Sequence, residues 1–277
     1  MTMRPLLLLV PLFLLAFGCA GIARGSEEAP LRVLVYNIHA GKDAAGVHNL
    51  ARVAELVRES RADLVLLQEV DRGTERSGRE DQLGELSRLT GLVGAFGRTL
   101  DYQGGEYGIA VLARWPILAD RLHRLPVEPA QERAGGSYEP RGVLHVMIAS
   151  PRGTVHLLNT HLDPSGEDFY RMQEVAAVRA LADSLRHRGE FVLVGGDINA
   201  TPESRVVEQM SVGGWRDAWA ACGVGAGFTF PADEPVKRID YLFIPAAVRC
   251  ESAVVLESQT SDHRAVLIVI GNSSRSF

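Results

Sequence analysis

The chain has 277 residues, of which 46% are hydrophobic, and its formal net charge at pH 7 is −5. This hydrophobic content is enough for a sizeable core, so an intrinsically disordered chain is excluded. The net negative charge disfavours a protein that follows long nucleic acids, because such proteins are usually basic.

The beginning of the chain has the pattern of an export signal. Arg4 precedes the apolar run 5–17, and small residues including Cys19 follow it. The run is short for a membrane-spanning helix and therefore predicts a signal peptide over residues 1–18. We expect the protein to be exported to the periplasm or to the extracellular space.

The end of this leader resembles a lipoprotein signal, in which the cysteine becomes the acylated first residue of the mature protein. We therefore expect Cys19 to be lipidated and to anchor the protein to a membrane. The alternative is ordinary signal cleavage near Ala20 or Ala23. Residues 19–30 would then be a polar tether before one folded domain over residues 31–277.

Strands and helices are predicted along the rest of the chain from the periodicity of its apolar residues. Strands are predicted over 31–37, 63–69, 107–113, 117–125, 142–149, 154–160, 191–194, 238–244, 248–256 and 265–270, and helices over 49–60, 82–90, 168–187 and 203–211. The early strand–helix–strand unit indicates an α/β fold. The four strands between 107 and 160 are predicted to be antiparallel neighbours, and the charged segment 71–81 is predicted to be a loop.

Two cysteines lie outside the leader, Cys222 and Cys250. An exported protein could join them in a disulfide, since the compartment is oxidising. Two buried free thiols are the alternative, and the sequence does not decide between them.

The apolar strand 191–194 is predicted to deliver two polar side chains to the end of a sheet. Gly195 and Gly196 end the apolar run, and Asp197 and Asn199 follow. Alternate residues of an extended segment share a face, so we expect these two side chains to point the same way. Alone, they would be interpreted as turn residues.

Other apolar strands also end in polar residues. These residues are Asn37, Glu69, His161, Asp262 and His263. Alone, Glu69 could be a solvated loop acid and His161 a structural histidine. Asp240 lies inside a predicted strand, where a buried carboxylate needs a partner, and a histidine would suit it. The oxygen ligands suit Mg²⁺ or Mn²⁺, and no nucleophilic serine or cysteine motif occurs, so the set favours attack of water on a phosphoester.

Seven short motifs occur in the order and spacing of a known family. They are Tyr36-Asn37-Ile38-His39, Leu67-Gln68-Glu69, Tyr107-Gly108 with Arg114-Trp115-Pro116-Ile117, Asn159-Thr160-His161-Leu162, Gly196-Asp197-Ile198-Asn199, Arg238-Ile239-Asp240-Tyr241 and Ser261-Asp262-His263. Through these motifs the chain resembles the endonuclease/exonuclease/phosphatase superfamily from about Leu31 to Ile270. The resemblance implies a four-layer α/β sandwich, in which two mixed β-sheets lie face to face and are flanked by helices.

The resemblance also implies roles for the motif residues that surround a metal. Glu69 is expected to be the principal ligand of Mg²⁺ or Mn²⁺, with Asn37 and Asp262 close to the same ion. His161 is expected to stabilise the phosphoryl oxygens or to assist the leaving group. Tyr107 stands where some members of the family place a residue that supports this histidine.

The resemblance further implies that four residues take part in proton transfer. Asp197, helped by Asn199, is expected to orient or deprotonate the attacking water. Asp240 and His263 are expected to form a carboxylate–imidazole pair. Either Asp197 or His263 could be the general base, and the resemblance leaves both open.

The segment 67–72, with Arg76-Ser77 and Asp81-Gln82, is similar to an exported bacterial branch of the superfamily. That branch is related to eukaryotic proteins of lipid remodelling in glycosylphosphatidylinositol anchors. We therefore expect a monomeric phosphodiesterase or phosphatase that acts on a small or lipid-linked phosphoester, such as a phospholipid or sphingolipid head group. The alternatives are a secreted nuclease, which the acidic charge disfavours, and a non-catalytic binding protein, which the complete set of polar groups disfavours.

Overall fold

Two six-stranded sheets lie face to face in the computed structural model, which describes residues 29–129 and 139–271. The strands are β1 (Leu31–Asn37), β2 (Leu64–Arg72), β3 (Val93–Tyr102), β4 (Gly105–Ala113), β5 (Ile117–Arg124), β6 (Gly142–Ser150), β7 (Gly153–His161), β8 (Phe191–Asp197), β9 (Trp215–Asp217), β10 (Asp240–Pro245), β11 (Cys250–Val255) and β12 (Val266–Ile270). The helices are α1 (Leu50–Ser60), α2 (Gln82–Thr90), α3 (Phe169–His187), α4 (Arg205–Ser211) and α5 (Ala218–Cys222).

The sheets are mixed, and their central strands end at one rim. The strand orders are β11-β12-β1-β2-β4-β3 and β5-β6-β7-β8-β10-β9. β1 is parallel to β2, and β7 is parallel to β8, so the carboxyl ends of each pair lie together. β10 runs antiparallel to β8 and begins with Asp240 opposite Asp197. The polar residues at these strand ends are thereby gathered at one rim.

Three apolar clusters build the four layers. Leu66, Val146 and Leu193 belong to the cluster between the two sheets. On the outer faces, one cluster contains residues of β1, β2 and α1, and another contains residues of β7, β8 and α3. Because both faces of the central strands are covered, these strands are continuously apolar. The predicted four-layer sandwich is confirmed.

Strands β3 and β9 and helix α5 were not predicted, and two strands predicted as neighbours lie in different sheets. β3 contains Gly94 and Gly97 and alternates between buried and exposed residues at a sheet edge, so it lacks the apolar run of a central strand. The predicted strands 107–113 and 117–125 are not neighbours, since β4 and β5 belong to different sheets. The predicted loop 71–81 begins later, because β2 continues to Arg72, and it contains a 3₁₀ turn at Glu75–Ser77.

Cys222 and Cys250 form a disulfide, with an S–S distance of 2.02 Å and a Cα–Cα distance of 5.7 Å. The bond ties the end of α5 to the beginning of β11. The structure thus selects the disulfide over the two free thiols that the sequence left open.

The predicted signal peptide and Cys19 lie outside the described residues. Over residues 29–129 and 139–271, no helix is long and apolar enough to cross a membrane. Among the described residues, the first strand, β1, begins at Leu31.

Candidate active site

Glu69 lies at a β-bulge in β2. The register between β2 and β4 shifts between Leu67 and Val70, so two residues of β2 oppose one residue of β4. Glu69 has a φ angle of 57°, a left-handed conformation that is uncommon outside glycine. Bulges redirect side chains in this way, and here the carboxylate of Glu69 lines a cleft at the rim of the sheets.

A pair of amide side chains inside the sandwich supports this bulge. Gln68 Nε2 donates a hydrogen bond of 2.7 Å to Asn159 Oδ1 on the opposite sheet. Asn159 Nδ2 donates to the carbonyl oxygens of Leu67 and Ala110, each at 2.8 Å. Gln68 and Asn159 are fully buried, so water cannot replace these bonds. The pair therefore satisfies carbonyl groups where the bulge interrupts the ladder.

Replacing Asn159 by leucine is expected to lower the free energy of unfolding by about 3 kcal/mol, because two buried carbonyl groups lose their donor. Urea unfolding followed by circular dichroism measures this loss. Thr160→Val is the matched control, since its buried hydroxyl donates only to Gly142 O, at 3.0 Å within the same sheet. Equal losses in the two variants would contradict the role of the amide pair.

Asn37, the last residue of β1, connects the two sheets at the rim. Its Nδ2 donates to Glu69 Oε1 and to Asp197 Oδ2, both at 3.1 Å. Its Oδ1 accepts a hydrogen bond of 3.1 Å from the backbone N–H of His39. One amide nitrogen thus holds two carboxylates that come from different sheets.

A close approach of two strands positions Asp197. A Cβ atom on Gly196 would lie 1.8 Å from Thr160 O, so only glycine fits there. Asp197 and Asn199 both line the cleft, as expected, but not because of strand alternation, since the strand ends at Asp197 and Asn199 has a φ angle of 52°. Asn199 instead donates its backbone N–H to Asp197 Oδ1 at 2.9 Å and its side chain to Leu162 O at 3.0 Å. It closes a turn that fixes Asp197.

Asp240 and His263 are in direct contact at the base of the cleft. Asp240 Oδ2 lies 2.9 Å from His263 Nδ1, and both side chains are buried. His263 Nε2 lies 3.7 Å from Asp197 Oδ2. The backbone N–H of His263 donates to Ser261 Oγ, which itself donates to Asn37 O at 2.7 Å. The imidazole is therefore held between two carboxylates.

Burial and charge shift the pKa values of this group. Burial alone would lower the pKa of His263, but the carboxylates of Asp240, Asp197 and Asp262 outweigh it and raise the pKa to about 10. Burial, followed by the charge of Asp240, raises the pKa of Asp197 to about 7. An opposing contribution comes from His263, which favours the ionised form of Asp197. His263 is thus held as an imidazolium, and Asp197 is poised near neutral pH.

The remaining predicted residues lie around the same centre. His161, at the end of β7, places Nε2 at 3.5 Å from Asp197 Oδ2. Asp262 Oδ1 lies 3.8 Å from His39 Nδ1. Tyr107, in β4, lines the same cleft, and burial followed by the charge of Glu69 raises the pKa of its hydroxyl.

The cleft has a volume of about 840 Å³ and takes in most of the predicted site. The predicted residues that line it are Glu69, Tyr107, His161, Asp197, Asn199, Asp262 and His263. Asn37 and Asp240 are buried and contact the lining residues through hydrogen bonds. Three arginines also line the cleft, namely Arg76, Arg141 and Arg171, and none of them was predicted as a catalytic or metal-binding residue. Arginines are frequent on surfaces, so only the fold singles them out.

The oxygen-rich side of the cleft fits a divalent cation. Within the described part of the chain, the only hydrogen-bond partner of the Glu69 carboxylate is the Asn37 amide. Asp197, Asp240 and His263 also bring one potential ligand atom each within 4.8 Å of one another. However, Asp240 and His263 already bind each other, which leaves Glu69 as the freer ligand. Carboxylates without thiolates suit Mg²⁺ or Mn²⁺.

Known proteins are similar to this chain in sequence or in structure. The protein YbhP of Escherichia coli K12 is 27% identical over 251 residues, which cover 86% of this chain and 95% of YbhP. The mannosyl-6-phosphatase of Bacteroides thetaiotaomicron superposes with a TM-score of 0.69 at 17% identity, covering 87% of this chain and 100% of that one. The catalytic domain of human Nocturnin superposes with a TM-score of 0.67 at 18% identity, covering 87% and 94%.

Both solved structures share the fold of this chain. The sequence model of the endonuclease/exonuclease/phosphatase family matches residues 34–263, from β1 to the histidine of the buried pair. This match spans every residue of the site described above, from Asn37 to His263. The chain therefore belongs to the endonuclease/exonuclease/phosphatase family.

Proposed function

We propose that this protein is a Mg²⁺- or Mn²⁺-dependent phosphoesterase that hydrolyses a small or lipid-linked phosphoester. The observation that carries the proposal is the unbroken series of contacts from Glu69 through Asn37 and Asp197 to His263 at the base of one cleft. A volume of about 840 Å³ suits a small ligand or a head group.

Glu69 would hold the cation, with Asn37 and Asp262 beside it. If a cation is held by these residues, it would supply positive charge that stabilises a phosphoryl oxygen and makes a nearby water easier to deprotonate. Asn37 keeps Glu69 and Asp197 apart at a fixed spacing, because its amide nitrogen donates to both. The arrangement brings substrate phosphate and attacking water to the same rim.

Asp197 is the better candidate for the general base. The pKa of His263 is raised to about 10, so its imidazole keeps its proton at neutral pH and cannot accept another. The pKa of Asp197, raised to about 7 mainly by burial, makes its carboxylate more basic than an ordinary aspartate and suits it to accept a proton from water. His263, oriented by Asp240, then stabilises negative charge that develops on the phosphoryl group. His161 is placed to donate to the leaving group or to a phosphoryl oxygen.

A hydrolysis screen tests this function. Purified protein with Mg²⁺ or Mn²⁺ is incubated with phospholipids, sphingomyelin, inositol phosphates, sugar phosphates, plasmid DNA and RNA. We expect turnover of a small or lipid-linked phosphoester. Preferred cleavage of DNA or RNA would establish a nuclease instead, and turnover of no phosphoester with either metal would contradict the proposal.

We also propose that the protein is exported and anchored through a lipidated Cys19, on the strength of the leader pattern. Mass spectrometry of the mature amino terminus from membranes of expressing cells measures this directly. We expect the chain to begin at a diacylated Cys19, and a Cys19→Ala variant to be released from the membrane fraction. An unmodified terminus near Ala20 or Ala23 would refute lipidation, and an intact leader would refute export.

A further inference from the structure

We propose that Arg76 forms a subsite for a second anionic group of the substrate, next to the phosphoester that is hydrolysed. The inference rests on the proposed function and adds a chemical property of the substrate. It predicts a phosphoester that carries a further carboxylate or phosphate.

A buried carboxylate fixes the Arg76 guanidinium in place. Arg76 Nε donates to Asp71 Oδ2 at 2.7 Å, and Arg76 Nη2 donates to Asp71 Oδ1 at 2.8 Å. Asp71 is fully buried and also accepts a hydrogen bond of 2.7 Å from Thr74 Oγ1. Its backbone N–H donates to Gln82 Oε1 at 2.8 Å. Because Asp71 is held by these further hydrogen bonds, it fixes the orientation of the Arg76 guanidinium.

The two hydrogen bonds to Asp71 leave other N–H donors of Arg76 available to a ligand. Its Nη1 makes no hydrogen bond within residues 29–129 and 139–271. Its guanidinium lies 4.9 Å from the centre of the Tyr102 ring and 5.2 Å from that of Tyr107. All three side chains line the cleft, and that of Arg76 is 28% exposed. The guanidinium is thus pre-oriented by its partners and still reachable.

The other two arginines of the cleft are more deeply buried. The Arg141 side chain is 3% exposed and lies 2.6 Å from Glu139. The Arg171 side chain is 5% exposed and donates to Asp168 and to two backbone carbonyl groups. At 28%, the Arg76 side chain is the most exposed of the three and the most accessible to a ligand. A fixed guanidinium with spare donors matches a carboxylate or a phosphate, whose oxygens accept charge-assisted hydrogen bonds.

The subsite adjoins the reaction centre. Tyr107 contacts Arg76, and the charge of Glu69 acts on both side chains. A cation on Glu69 would offset the negative charge that this carboxylate presents to the cleft. A second anionic group could then bind within a few bonds of the scissile phosphate.

Two matched phosphodiesters test this inference, 4-nitrophenyl ethyl phosphate and 4-nitrophenyl 2-carboxyethyl phosphate. Both release the same chromophore, and they differ by one carboxylate. We expect the wild type to favour the carboxylate ester in kcat/KM. Arg76→Gln should lower kcat/KM for that ester about 10- to 100-fold more than for the ethyl ester, the range of a charged hydrogen bond. Arg76→Lys, which keeps the charge, should retain part of the preference.

Arg88→Gln is the control, because Arg88 pairs with Glu85 on the exposed face of α2 and should leave the preference unchanged. Circular dichroism checks the folding of each variant. Equal losses on the two esters in Arg76→Gln, or a wild type without preference, would overturn the subsite. If the wild type hydrolyses neither ester, calorimetric binding of both esters to Mg²⁺-loaded protein decides the subsite by the same difference, and the hydrolysis screen decides the proposed function separately.

Discussion

Asp240→Asn and His263→Ala are each expected to lower turnover by about 10²–10⁴-fold, the range for acid–base groups. The double variant is expected to lose little more than either single variant. The reason is that Asp240 Oδ2, at 2.9 Å from His263 Nδ1, orients the imidazole and keeps it protonated, so the two residues act as one unit. Turnover of the three variants at fixed pH and Mg²⁺ measures the coupling.

Asp217→Asn is the matched control for this prediction. Asp217 is another buried carboxylate, which binds Arg238 at 2.6 Å, and neither side chain lines the cleft. Asp217→Asn should lower the free energy of unfolding. Turnover of the folded fraction should stay close to that of the wild type. Losses that multiply in the Asp240 and His263 double variant, as they do for independent sites, would show that the two residues are not a unit.

The raised pKa of His263 also predicts a pH dependence of stability in the metal-free protein. Its pKa in the folded state is about 10, above the value of about 6.5 for an unfolded histidine. The contribution of protonated His263 to the free energy of unfolding is therefore fully present below pH 6.5. It is lost as the pH rises through about 10. NMR titration should find His263 protonated at pH 8, and Asp240→Asn should lower its pKa. A neutral His263 at pH 8 in the wild type would contradict this account.

Glu69→Gln is expected to abolish most of the metal-dependent turnover, by about 10³-fold, because several kcal/mol of charge stabilisation are lost with the cation. It should also raise the dissociation constant for Mn²⁺, measured by electron paramagnetic resonance without any substrate. Glu106→Gln is the control, since Glu106 pairs with Arg72 outside the cleft. Unchanged Mn²⁺ affinity in Glu69→Gln, or full turnover of metal-stripped protein in excess chelator, would refute Glu69 as the ligand.

Much of the fold was predictable because the central strands are buried on both faces. The run 191–194 and the helix periodicity of 168–187 indicate β8 and α3 with small errors at their ends. β3 was not predictable in the same way, since its two glycines and its edge position remove the apolar run. The pairing of β4 with β5 failed because adjacency in sequence does not reveal that the chain crosses from one sheet to the other.

The sequence indicated which residues form the site. It did not indicate their geometry, because that depends on contacts between residues distant in sequence. Asn159 reaches Leu67 and Ala110 across the sandwich, which no local pattern indicates. The turn at Asn199 has a left-handed φ angle that simple strand alternation does not anticipate. Arg76 acquires significance only because the fold buries Asp71 behind it and places it on the cleft.

The central claim is that water, activated at Asp197, attacks a phosphoester in this cleft. Hydrolysis of the best substrate of the screen in ¹⁸O-labelled water, with Mg²⁺, tests it most directly. We expect one ¹⁸O atom per turnover in the phosphorus-containing product, and a rate of incorporation that falls sharply in Asp197→Asn. Label in the released alcohol, or an undiminished rate of incorporation in Asp197→Asn, would contradict the claim.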